Sequence, residues 1–364
     1  MSKHSLRPGS AEEQEAERDE EADSGTHDRR RVFKALAILG AAVLVVTLVL
    51  GGIIAYFAYQ YDHNVKRIPN VFATVPGEHR PAQVASAQEA ENFLLVGTDS
   101  RAPAQTTGTG GDPNSVSPIG QRSDTIMVVH LAADRKSAYF VSIPRDSWVP
   151  IPGNGHDKIN AALAFGGPRL LRQTIEQLTG VRIDHYLQVD FAGFKAMTQA
   201  VGGVDINVPV DSFDTASGQH WHAGAQHMDG ATALRYVRQR YGLPGGDFDR
   251  IKHQHQFLQA LVSRASRGSM LTDPFSLNDF LQAVTTSVSV DSGLSGGALL
   301  SLARKLRGVS SRAHYYTVPV TGTGMVGTAS VVFLDPALDA TLWTAMRSDK
   351  LGSYVLPPSP YGPG

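Results

Sequence analysis

Three short segments of this chain set an aspartate and an arginine close together: Asp99 and Arg101 in GTDSR, Arg122 and Asp124 in RSDT, and Arg145 and Asp146 in IPRD. Each adjoins an apolar run of strand length, so the charges fall at strand ends and loop mouths, where sites are usually built. If those strands are neighbours, the first ends near where the second begins, and Asp99 and Asp124 converge. Two carboxylates offer hard oxygen ligands of the kind Mg²⁺ takes together with waters and phosphate oxygens. Arg235, Arg238, Arg240 and Arg250 follow around the turn YGLPGGDFDR. A guanidinium fork matches phosphate oxygens bidentately, so clustered arginines beside a divalent cation suit a phosphate or pyrophosphate ligand. Arg238 and Arg240 are two apart and point to opposite sides of a regular helix. Both reach one ligand only where the helix ends, which Gly242 and Pro244 favour. The same residues also fit a set of surface salt bridges, Asp99 with Arg101 and Asp124 with Arg122, and spacing alone does not choose between the two.

Other chemistries find less support. The 364 residues include no cysteine, which excludes disulfides, thiolate metal sites and thiol nucleophiles. A formal net charge of −1 gives no basic footprint for a nucleic-acid partner. His220, His222 and His227 share a polar loop with Trp221, but no HExxH pattern or acidic partner supports a zinc site there. His253 and His255 are two apart on an expected helix and cannot share a face. Serine hydrolysis has no GxSxG anchor. The Gly-rich stretch 102–120 matches neither a P-loop nor a dinucleotide fingerprint and reads as a flexible surface loop.

The elements that must position these charges follow from pattern. NFLLVGT is a short apolar strand. TIMVVHL and AYFVSIP are adjacent strands joined by the tight polar connection AADRKS. PRLLRQTIEQLTG carries Leu170, Leu171, Ile175 and Leu178 at helical spacing, starting after Pro168 and stopping at Gly180. IDHYLQVD and VDINVPV alternate as strands around a helix, FAGFKAMTQAVGG. DGATALRYVRQR is a helix with Asp229 as its cap, and RIKHQHQFLQALVSRAS a longer one with an apolar stripe of Ile251, Phe257, Leu258, Leu261 and Val262. Strands HYYTVPV and SVVFL and two further helices are expected over 270–340. Such alternation gives an α/β, or mixed α+β, domain with a central mixed sheet flanked by helices.

Residues 1–31 are polar and charged and read as a disordered tail. Arg29, Arg30, Arg31 and Lys34 then precede AILGAAVLVVTLVLGGIIAYFAY, an uncharged run long enough for a membrane-spanning helix over 32–61, with Tyr56, Tyr59 and Tyr61 at its far end. The basic cluster puts the N-terminus in the cytoplasm and the rest outside. A cleaved signal peptide would have a shorter apolar core. Residues 62–90, with Pro69, Pro76 and Pro81, read as a stalk, 91–347 as the folded domain and 348–364 as a disordered tail.

The blocks GTDSR, RSDT, SIPRDSWVPIPG, DKINAALAFGGP, VDFAGFKAMTQAVGGVDINVPV, MDGATALRYVRQR and DFDRIKHQ, in this order over about 92–262, closely resemble the LytR–CpsA–Psr family. The resemblance implies a membrane-anchored extracytoplasmic phosphotransferase. Its donor would be a polyprenyl-pyrophosphate-linked glycan of teichoic acid, capsule or arabinogalactan type, and its acceptor the muramic acid 6-hydroxyl of peptidoglycan. By motif match Asp99 and Asp124 would hold Mg²⁺ or Mn²⁺, and Arg145, Arg238, Arg240 and Arg250 would grip the pyrophosphate. Arg101, Arg122, Asp247 and Gln254 fall on further motif positions, with Asp247 or one of the aspartate pair as general base. An apolar pocket between sheet and helices, lined from 186–200 and 251–262, would take the lipid. This sequence departs from the family in carrying His253 where an arginine is usual before Gln254, and in a longer segment between Asp99 and Asp124. A lipid pyrophosphatase, and a non-catalytic wall-binding or regulatory membrane protein, are the alternative readings.

Overall fold

Strand segments that are apolar on both faces make a buried sheet, and here they do. The computed structural model describes residues 59, 63–99, 123–266, 274–295, 297–298 and 312–355. Its strands are β1 Lys66–Ile68, β2 Glu91–Thr98, β3 Ser123–Leu131, β4 Ala138–Ser142, β5 Trp148–Ile151, β6 Gly155–Lys158, β7 His185–Asp190, β8 Val204–Val208, β9 Ser212–Asp214, β10 Gln219–Trp221, β11 Gly224–Met228, β12 Val288–Asp291, β13 Ala313–Thr317, β14 Val320–Val326 and β15 Ala329–Leu334. Its helices are α1 Ala161–Thr179, α2 Phe191–Ala200, α3 Gly230–Arg238, α4 Asp247–Ser266, α5 Pro274–Ser287 and α6 Pro336–Arg347.

The central sheet has the order β1-β12-β7-β2-β3-β4-β13. β2–β3, β3–β4 and β12–β7 run antiparallel, and β2–β7, β4–β13 and β1–β12 parallel. This is the mixed sheet that alternation implies. Period-two alternation sends Leu94, Val96, Ile126, Val128 and Val141 to one face, against Leu171 and Ile175 of α1 and Leu342, Trp343 and Met346 of α6. Phe93, Met127 and Phe140 point to the other, where Leu258 of α4 packs on them. There α2, α3 and α4 share a second core built on Trp221, Tyr236 and Phe257.

Local signals end the helices where expected. Asp229 caps α3 by accepting from Thr232 N at 2.7 Å. Gly180, at φ 64°, closes α1 in the left-handed conformation, its N–H reaching Glu176 O at 2.9 Å. Inside α1 the backbone leaves helical geometry at Gly166 and Gly167, so Pro168 does open the second segment.

Two boundaries need correction. Residues 62–90 were expected to form a stalk, but β1 is an edge strand of the central sheet, and Val65 and Val71 are buried. A three-residue strand shows no periodicity, and the prolines around it end elements without excluding them. Past residue 347 the fold also continues: Leu351 is buried in a short 3-10 turn, and Asp349 Oδ1 lies 2.9 Å from His130 Nε2. The expected span 32–61, Tyr59 apart, and the tails 1–31 and 356–364 lie outside the described residues. Among the described residues, no helix is long and apolar enough to cross a membrane.

Candidate active site

The sheet order gathers the charged strand ends. Thr98 of β2 pairs with Ser123 of β3 and with Asp190 of β7, so Asp99, Asp124 and the start of α2 meet at one edge. Ile143 N donates to Ile126 O at 2.9 Å, which brings Arg145 to the same edge. These are the carboxyl ends of β2, β4 and β7, where open α/β sheets bind ligands.

From this edge a cavity of about 550 Å³ opens between sheet and helices. Its mouth carries Asp99, Asp124, Arg145, Arg235, Arg238, Arg240, Arg250 and Gln254. Its depth is apolar, with Leu95, Val189, Phe191, Phe194 and Met197 on one side and Leu234, Val237, Phe257, Leu258 and Leu261 on the other. The segments 186–200 and 251–262 thus supply its lining, as the family resemblance implies.

Arg145 is the electrostatic centre. It donates to Asp124 Oδ1, and its Nε lies 3.7 Å from Asp146 Oδ2 and 3.9 Å from Asp247 Oδ1. Burial opposes its charge, but Asp124, Asp247 and Asp146 outweigh burial and raise its pKa. Arg250 is 5% exposed; Nη2 lies 2.8 Å from Asp247 Oδ1 and donates to Asp124 O at 3.3 Å. Its pKa is lowered, by burial first, with the charges of Arg145 and Arg240 adding to that effect. Arg240 Nε is 3.8 Å from the same Asp247 oxygen. One carboxylate thus faces three guanidiniums. Arg145 Nε and Arg250 Nε, both buried, have no hydrogen-bond acceptor.

Arg238 and Arg240 both line the mouth because α3 ends at Arg238: Gln239 already has ψ 128°. The chain then turns tightly at Gly242, where φ is 75° and a Cβ would clash with Phe213 O. Arg238 stacks 4.2 Å over the Phe191 ring, with Nη2 3.9 Å from Asp99 Oδ2. Asp124 therefore pairs across strands with Arg145, while Arg101 and Arg122 lie outside the described residues. Asp247 contacts the arginines from behind the cavity lining.

His253, at the position where the family often has arginine, faces away from the mouth. Its ring stacks on Tyr236 at 4.0 Å, Nδ1 is 3.2 Å from Tyr236 O, and burial lowers its pKa to about 4. It supplies no cation. His227 pairs with Asp205 at 2.7 Å on the surface, and among the described residues no group of three or more His, Asp or Glu is arranged to hold a metal. Asp99 and Asp124, both at the cavity mouth, still match a cation that takes two carboxylates and completes its shell from water and phosphate.

Sequence reasoning missed Lys158. Its Nζ is 3.0 Å from Asp146 Oδ1, and β5–β6 pairing sets it opposite Trp148. A hairpin of four-residue strands gives too little alternation to reveal that pairing. It missed Asp214 and Ser217 on the cavity wall as well, which no motif signals.

Comparisons with known proteins agree with this architecture. The model of the LytR_cpsA_psr family matches residues 59–348. The probable cell wall biosynthesis protein LcpB of Corynebacterium glutamicum is 36% identical over 332 residues, 89% of this chain and 75% of that protein. The polyisoprenyl-teichoic acid–peptidoglycan teichoic acid transferase TagU of Bacillus cereus is 33% identical over 265 residues, 72% of this chain and 79% of its own. The crystal structure of B. subtilis TagV aligns with a TM-score of 0.58 at 26% identity, covering 74% of this chain and 99% of that one. A family model matched from the first described residue almost to the last strengthens what the sheet edge and its arginines indicate: the chain belongs to the LytR–CpsA–Psr family.

Proposed function

We propose that this protein transfers a polyprenyl-pyrophosphate-linked glycopolymer to the muramic acid 6-hydroxyl of peptidoglycan, from an extracytoplasmic domain anchored by residues 32–61. The observation that carries this reading is the pair of buried, acceptor-less guanidinium nitrogens at the mouth of an apolar cavity. A buried donor without an acceptor is costly. Pyrophosphate oxygens satisfy Arg145 and Arg250 from the mouth, while a polyprenyl chain fills the apolar depth. The names of the relatives, a teichoic acid transferase and a cell wall biosynthesis protein, support the same donor and acceptor classes.

In this reading the acceptor hydroxyl attacks the sugar-proximal phosphorus. The bond from that phosphorus to the bridging oxygen breaks, polyprenyl phosphate leaves, and the hydroxyl proton passes to a carboxylate, Asp247 or one of the pair Asp99 and Asp124. Arg145, Arg250, Arg240 and Arg238 neutralise charge as it moves to the leaving phosphate, which is where catalysis of phosphoryl transfer mostly lies. Gln254 lines the mouth and orients the phosphates, and Arg101 and Arg122 support them. A Mg²⁺ or Mn²⁺ held by Asp99 and Asp124 supplies further positive charge when bound. The phosphoanhydride itself supplies the driving force, so no ATP site is required.

The test is a transfer assay with the full-length protein in detergent, a lipid-pyrophosphate glycan and peptidoglycan. Glycan coupling is expected, dependent on a divalent cation, and Arg145→Ala and Asp124→Ala are each expected to reduce it about 100-fold or more. Unchanged transfer in either variant would refute the site. Release of phosphorylated glycan alone, with none coupled, would establish the pyrophosphatase reading instead.

A further inference from the structure

A second depression, of about 540 Å³, opens between the end of α1, strand β5, the end of β15 and helix α6. Its walls are aromatic and proline-rich: Trp148 and Pro150 from β5, Phe333 from β15, and Pro336 and Trp343 from α6. One carboxylate, Asp339, belongs to the lining. It is 6% exposed, and its Oδ1 has no hydrogen-bond partner. Buried polar groups are nearly always paired, so an unpaired acceptor on a residue of the groove wall leaves a place for a ligand that donates. Arg347, the lining cation, is already committed to Thr179 O and Thr344 Oγ1, each at 2.8 Å. The groove therefore offers little to an anion. Burial, and then the charge of Asp335, push the Asp339 pKa up to about 7, which also favours an uncharged ligand.

The groove begins close to the active site along the chain. Trp148 follows Arg145 by three residues, at most about 10 Å of extended chain. Phe333 follows Val332, whose N–H donates to Asp146 O at 2.9 Å. From there the groove follows the seam between α1 and α6 to Gly180 and Arg347, toward the sheet edge where β7 begins.

We propose that this groove binds the acceptor glycan strand, a β-linked chain of N-acetylated amino sugars, and feeds it to Arg145. Sugar rings present flat C–H faces that stack on indole and phenyl surfaces, while their hydroxyl and amide groups donate to an isolated acceptor such as Asp339. The identity of the sugar rests on the transferase reading above; the groove's affinity for glycan does not.

The experiment uses full-length protein in detergent and a peptide-free tetrasaccharide of alternating N-acetylglucosamine and N-acetylmuramic acid, its lactyl groups amidated, with affinity followed by calorimetry. Binding is expected, weakened about tenfold or more by Trp148→Ala and by Asp339→Leu. Asp339→Leu removes an unsatisfied buried carboxyl, so its Tm is expected to equal or exceed that of the wild type, which separates lost affinity from lost fold. Arg240→Ala, which disables the donor site, is expected to leave oligosaccharide affinity within about twofold. No binding, or binding that both groove variants leave unchanged, overturns the groove. Groove-dependent binding by a protein that transfers nothing overturns the transferase reading and upholds the glycan site.

Discussion

Asp247 shows how far residue identity goes toward a role. Its Oδ1 lies 2.8 Å from Arg250, 3.8 Å from Arg240 and 3.9 Å from Arg145, a single carboxylate among three guanidiniums. It restrains their mutual repulsion; in the proposed reaction the donor phosphates would take over that task and leave it to accept a proton. Asp247→Asn keeps the shape and removes the charge. It is expected to destabilise the ligand-free protein by about 1–3 kcal/mol and to tighten binding of inorganic pyrophosphate, both read from melting curves with and without that ligand. A fall in transfer accompanied by loss of the acidic limb of the pH–rate profile would mark Asp247 as the base. If pyrophosphate binding instead weakens, the counter-ion role is wrong. The sequence revealed Asp99, Asp124 and Arg145 because they stand at the ends of readable strands. The dependence of three arginines on Asp247 was invisible, since it joins a loop after α3 to the start of α4 and to a strand end a hundred residues earlier.

Helix α4 is the element that couples site and core. Its first turn carries Asp247 and Arg250, and it buries His253 on one side against Tyr236 and His255 on another against Ser142, whose Oγ is 2.8 Å from His255 Nε2. Burial lowers both imidazole pKa values from 6.5 to about 4. Above pH 6.5 both folded and unfolded states hold these groups neutral, and the two histidines add no pH dependence. As pH falls from 6.5 toward 4, the unfolded chain binds protons that the folded one refuses, so stability drops across that window. Melting temperature is expected to decline between pH 6.5 and 4 through these two groups, and His255→Phe, which cannot titrate, is expected to flatten the decline; an unaltered profile would mean that His255 is not held neutral. The strands flanking α4 were readable from alternation over five or more residues. The short pairs β5–β6 and β9–β10 were not, because three or four residues do not establish a period, and those hairpins carry Lys158, Asp214 and part of the cavity wall.

At the scale of the whole molecule, the segment expected to be a stalk is fastened to the domain by a buried ion network. Arg172 is fully buried on α1 and pairs with Glu78 and, at 2.6 Å, with Glu176. Arg80 closes the network on Glu176 at 2.7 Å and stacks over Phe72, while Arg172 Nε donates to Val71 O at 3.3 Å. Charges so placed lose their hydration, and pairing compensates for that loss only while every partner is present. Arg172→Ala leaves two buried carboxylates facing each other and is expected to cost about 3–5 kcal/mol. Replacing the trio together, with Arg172→Met, Glu78→Gln and Glu176→Gln, is expected to recover part of that loss, because the one charge left without its partner, Arg80, is partly exposed. A fragment beginning at residue 91 lacks β1, Glu78 and Arg80, and is expected to melt well below one beginning at residue 63. Equal melting of the two fragments would show that residues 63–90 lie on the domain without stabilising it, and the reading of this segment as part of the fold's energetics would fail.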